Sequence, residues 1–152
     1  MKKFASVMKA IWITVAIWMI SLFVPGFISA FAPNDPDILD ALLIIMLPLA
    51  WAVARKIAKN KYSTCIKSNF YIFATIKGIE MIFTAAQLVY GIRQIGGRYY
   101  FDIYGVPYSD YPNVYGKVII YQAIYIALCL FLIKKTVVKK QTEDFSLVTE
   151  NS

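Results

Sequence analysis

The sequence predicts an all-α integral membrane protein: four transmembrane helices in a compact bundle, both termini cytoplasmic, with a tyrosine-rich outer loop between the third and fourth. Three observations carry this expectation. The chain of 152 residues is 59% hydrophobic and only 16% charged, with mean hydropathy +0.58, whereas a soluble domain carries about 25% charged residues. Its apolar residues gather in four runs, 10–32, 38–54, 70–92 and 118–133, each near the ~20 residues that cross a hydrocarbon core of ~30 Å. Its basic residues fall mostly on one side of those runs.

The first run follows Lys2, Lys3 and Lys9 and ends in Ser29, Ala30, Phe31 and Ala32, a pattern shared with secretory signals. It is longer than the roughly 7–15 apolar residues of a signal core. Pro33 would also stand just past the cut, where its ring and missing N–H make a poor scissile bond. The run is therefore read as a retained span, kinked or ended near Pro25 and Gly26. A short outer turn follows, in which Asp35 or Asp37 can cap the second span.

The second run contains Pro48, which removes one backbone hydrogen bond and bends the helix. The second and fourth runs are short, so they are expected to extend into their polar flanks or to stand with little tilt. Residues 1–134 thus form one transmembrane domain, and 135–152 a polar cytoplasmic tail without fixed structure.

The net charge of +7 is explained by topology. Lys2, Lys3 and Lys9 precede the first span, Arg55, Lys56, Lys59, Lys61 and Lys67 separate the second from the third, and Lys134, Lys135, Lys139 and Lys140 follow the fourth. The opposite side has only Arg93, Arg98 and Lys117. The positive-inside rule then places both termini in the cytoplasm. The basic stretch 54–67 can also touch anionic headgroups, and no nucleic-acid partner is implied. Short loops without an organelle signal fit a bacterial inner membrane.

The outer loop 93–117 holds six of the eleven tyrosines. Arg98, Tyr99, Tyr100, Tyr104, Tyr108 and Tyr111 are its candidate partner-binding residues, because tyrosine offers rigid amphipathic contact area at low entropy cost. The competing reading is an aromatic belt at headgroup level.

The third span carries ionisable residues. At a rise of 1.5 Å per residue, Lys77 lies ~10 Å and Glu80 ~15 Å into the bilayer from Phe70. Lys77 is expected to snorkel toward the inner headgroups. Lys77, Glu80, Thr84, Gln87 and Gly91 recur at three- and four-residue steps and make one polar stripe. Such a stripe faces other helices or a water-filled cavity rather than lipid. Tyr121, Gln122 and Tyr125 on the fourth span and Thr14, Trp18 and Ser21 on the first are the available partners. The stripe is either an ion or proton site or a device that fixes helix partners. Asp40 reads as too near the outer surface to take part.

The chain has no histidine and two cysteines, outside any C-x-x-C spacing. No catalytic residues, metal site, disulfide or cofactor are implied. An inverted repeat or matched broken helices would point to a transporter, and the sequence has neither. The expected function is that of a small non-enzymatic polytopic protein acting by protein–protein interaction within the bilayer, as an accessory, regulatory or immunity-type factor. Its partner is then another membrane protein, a membrane-inserting toxin or a second copy of itself. The alternative is an oligomeric transporter or ion- or proton-conducting protein using Glu80 and Lys77.

Overall fold

The computed structural model describes residues 2–31, 36–59, 62–93 and 111–150, all of them helical or in short turns. The helices are α1 (Lys2–Trp18), α2 (Val24–Ser29), α3 (Pro36–Ala58), α4 (Ser63–Arg93) and α5 (Tyr111–Glu150). A π-helical turn, Met19–Phe23, joins α1 to α2. Four segments are long and apolar enough to cross a membrane: Lys3–Ser29, Asp37–Ala58, Ser63–Val89 and Asn113–Thr136. The two short runs of the sequence do extend into their flanks. Residues 111–117, read from the sequence as the end of the outer loop, form the first turns of α5, and that helix includes 135–150 as well.

Proline shapes the first span. Pro25 has no N–H to give the Ser21 carbonyl, and its ring would press on that carbonyl. The helix widens just before it, so that Val24 N–H bonds the Met19 carbonyl five residues back. This π turn lets α2 continue to Ser29 rather than ending the span at Pro25. Pro48 lies inside α3, which stays helical through it. Pro36 opens α3, with Asp37 in its first turn, where an acid complements the helix dipole. Lys59 closes it in the left-handed region, φ 45°, with its N–H on the Arg55 carbonyl at 3.2 Å, a left-handed cap.

The helices alternate in direction. Tyr62 Oη donates to Ser6 Oγ at 3.3 Å and Trp51 Nε1 to Thr136 Oγ1 at 2.8 Å. The start of α1, the end of α3, the start of α4 and the later part of α5 therefore share one end, here the basic end. At the opposite end Lys117 pairs with Asp37 at 3.6 Å, both well exposed. α1 packs on α3 and α4, and α5 packs on α3 and most extensively on α4. Ile13, Ile17, Leu47, Ala54, Ile66, Phe70, Phe73, Cys129, Leu132 and Ile133 fill the core. Phe4, Trp12, Phe27, Ile45, Ile82 and Phe131 stand exposed on the outside, an arrangement suited to lipid and costly in water.

Candidate functional site

The α4–α5 seam brings the polar stripe together. Lys77 Nζ meets Glu80 Oε2 at 2.5 Å, three residues along the same helix. The lysine is turned toward Glu80 and stands 5.7 Å from the Tyr125 ring centroid on α5. It does not snorkel toward the basic end, because a carboxylate and an aromatic face lie within its reach along the seam. Its side chain is 19% exposed, while that of Glu80 is 45% exposed.

One turn on, the polar atoms lock together. Thr84 Oγ1 donates to the Glu80 carbonyl at 2.8 Å, which commits its only proton. It then accepts from Gln122 Nε2 at 3.3 Å. Gln122 is 8% exposed, and its Oε1 is buried without a hydrogen-bond donor. Turning the amide over would set two acceptors face to face. A buried acceptor left so is a cost that folded proteins rarely carry.

Two clefts meet at Gln122. A small one, about 10 Å³ and so room for a single water, is lined by Asp40, Lys77, Tyr121, Gln122 and Tyr125 with Leu43 and Ile44. A larger and more open one, about 370 Å³, is lined by Glu80, Phe83, Thr84, Gln87 and Gln122. Lys77, Glu80, Thr84 and Gln87 of the stripe, with Tyr121, Gln122 and Tyr125 of the fourth span, therefore line this one region. Asp40 joins them, contrary to the reading that it stands too near the surface. α3 leans its first turns over the seam, and both Lys77 and Glu80 are within electrostatic reach of Asp40.

Thr14 and Trp18 go elsewhere. Their partner is Asn69, a buried α4 residue that the sequence reading passed over. Trp18 Nε1 donates to Asn69 Oδ1 at 2.8 Å, and Asn69 Nδ2 reaches Thr14 Oγ1 at 3.3 Å and the Cys65 carbonyl at 2.9 Å. Cys65 Sγ lies 3.5 Å from Thr14 Oγ1. This cluster ties α1 to α4 by hydrogen bonds and makes no contact with Glu80. The recurrence Cys65, Asn69, Phe73 at four-residue steps was the available signal. Ser21 is buried at the π turn with its hydroxyl unpartnered.

Arg98, Tyr99, Tyr100, Tyr104 and Tyr108 lie outside the described residues. Tyr111 is the first residue of α5. Among the described residues no three His, Cys, Asp or Glu side chains gather as a metal site would need. No family model matches the chain, and no curated protein or solved structure is significantly similar to it.

Proposed function

We propose that this chain is a small non-enzymatic protein of a bacterial inner membrane that binds another membrane component through the α4–α5 seam and the tyrosine-rich segment 93–117. Both termini are cytoplasmic in this reading. One observation carries it: Glu80 is 45% exposed on the flank of a span, beside an open cleft it shares with Thr84, Gln87 and Gln122. In hydrocarbon such a surface calls for polar cover, and hydrogen bonds from a partner helix supply it. Segment 94–110, which holds four of the tyrosines, joins the two helices of that seam in the sequence. The partner is a resident membrane protein or a membrane-inserting toxin. The orientation rests on the cations of the basic end, where Lys9 lies by Tyr62 and Arg55 and Lys135 by Trp51, as the positive-inside rule favours for a cytoplasmic face.

Transport is the second reading, and it uses the same Glu80 and Lys77. It is the weaker one for a single chain, because Leu47, Phe70, Phe73, Cys129 and Ile133 fill the core between the clefts and the basic end. A photo-crosslinking residue placed at Phe83 separates the two. Phe83 is 68% exposed and lines the larger cleft. The expected result is one discrete protein adduct in native membranes, absent when the crosslinker sits at Phe27 on α2, and lost in Tyr104→Ala/Tyr108→Ala. Cation or proton flux in proteoliposomes that Glu80→Gln abolishes, with no adduct at Phe83, would replace interaction by transport.

A further inference from the structure

On the reading that a partner occupies the α4–α5 seam, we propose that it inserts there a lysine or arginine side chain, carried at mid-depth in one of its own transmembrane helices. At Glu80 and Gln122 the seam is short of donors. Gln122 Oε1 is buried without one. Glu80 has one hydrogen bond among the described residues, from Lys77 to its Oε2, whereas a carboxylate has about four lone-pair sites. The nearest donors are already committed. The Thr84 proton goes to the Glu80 carbonyl, and Gln122 Nε2 goes to Thr84 Oγ1.

Charge points the same way. Among the described residues that line the two clefts, Lys77 is the only cation and faces two carboxyls. It pairs with Glu80, lines the small cleft with Asp40 and lies within electrostatic reach of it. With both carboxyls ionised, the seam carries one negative charge in excess. Ionisable groups inside a membrane pair with one another, so a cation from the partner relieves that excess. A guanidinium or ammonium also brings several N–H groups, enough to serve Glu80 and Gln122 Oε1 together. A second copy of this chain offers no such relief through its own seam, because it adds two more carboxyls and one more lysine.

The surroundings select a side chain on a helix over a free amine. Glu80 and Phe83 are exposed on the flank of α4, and Glu80 stands ~15 Å along the helix from Phe70, near the middle of a ~30 Å core. A hydrophilic amine loses its hydration to reach that depth, whereas a neighbouring span delivers a long side chain there directly. The larger cleft, about 370 Å³, falls within the ~300–1,000 Å³ of sites that hold small ligands and has room for one such side chain. Phe83 lies one turn from Glu80 and lines the same cleft, so it offers an aromatic ring to the same cation. A cation in a span is costly until it is paired, and both helices therefore gain from the contact.

The test is energy transfer in phosphatidylcholine vesicles between the full chain, labelled at its N-terminus, and a labelled polyleucine helix long enough to span the bilayer. The helix carries lysine, glutamine or leucine at its centre. The expected result is that the lysine helix associates about tenfold more tightly than the leucine helix, and that Glu80→Gln abolishes the difference. The comparison of helices uses the unaltered chain, so a folding defect in the variant cannot produce it. Equal association of the lysine and leucine helices, or a lysine preference that survives Glu80→Gln, overturns the inference. A glutamine helix as tightly bound as the lysine helix overturns the cation in favour of a neutral donor. Decylammonium that binds as tightly as the lysine helix overturns the helix in favour of a lipid-soluble amine. A discrete Phe83 adduct in native membranes alongside any of these results leaves the interaction reading standing without the cation, and the loss of that adduct as well overturns both.

Discussion

Replacing Gln122 by methionine tests the seam by the sign of its effect on stability. Gln122 gives one hydrogen bond, Nε2 to Thr84 Oγ1 at 3.3 Å, and leaves Oε1 buried without a donor. Methionine keeps nearly the same volume and removes both features. An interhelical hydrogen bond in a membrane is worth ~0.6 kcal/mol on average and at most ~1.7 kcal/mol. An orphaned buried acceptor costs ~1–3 kcal/mol. Central values give a net gain of about 1.4 kcal/mol for Gln122→Met. The assay is reversible unfolding by SDS in mixed micelles, read by tryptophan fluorescence, alongside the Phe83 crosslink in native membranes. The variant is expected to be more stable and to lose the adduct, the signature of a polar group held at a site against the interest of stability. The least favourable combination of those ranges is a loss of ~0.7 kcal/mol. A greater loss refutes the reasoning, because it means Oε1 has a donor in the folded protein.

Three further outcomes are expected. Trp18→Phe and Asn69→Leu couple by ~0.6 kcal/mol, and by no more than ~1.7 kcal/mol, in a double-mutant cycle; strict additivity would mean that this contact does not hold α1 on α4. Lys77→Met lowers the SDS midpoint, because it strips Glu80 of its partner, and Lys77→Met/Glu80→Gln recovers most of the loss; a double variant no better than the single shows that Glu80 gains nothing from Lys77. In a Cys65→Ser chain, a membrane-permeant maleimide leaves buried Cys129 unmodified until the protein is unfolded in SDS, and rapid labelling in native membranes contradicts the packing of the core.

The spans were legible because hydrocarbon imposes a length and a composition that few other demands mimic. The stripe was legible for a related reason. Lys77, Glu80, Thr84 and Gln87 are conspicuous among Ile, Phe and Met, and their spacing assigns them to one face. Its partners on α5 followed from the four-residue step between Tyr121 and Tyr125. The rest depended on which helices become neighbours. Asn69 sits beside the basic flank of its span, where a polar residue reads as interface, and only the approach of α1 makes it a hub. Asp40 reads as surface by depth alone, and only the packing of α3 and α5 together brings it to Lys77. Trp51 and Thr136 are 85 residues apart, and no local pattern links them. The π turn was half visible: Pro25 announces a disturbance, but whether the helix stops or widens depends on the packing that buries Ser21.

The two ends of the bundle divide their tasks, and this bears on where function resides. At the basic end the apolar core is continuous through all four spans, and the polar groups there are satisfied by one another, as in the Trp18–Asn69–Thr14 and Trp51–Thr136 contacts. Toward the opposite end the α4–α5 seam opens, a carboxylate is left half exposed, and a buried amide oxygen has no donor. If the open seam served only to stabilise the fold, leucine or methionine at Gln122 and Gln87 would serve better in hydrocarbon, where an unpaired polar group is a cost. A polar surface left unsatisfied next to a core that is well satisfied is the pattern expected where local consistency yields to binding. The sealed end fixes the positions of α4 and α5, and the open seam between them is the surface that the proposed partner would complete.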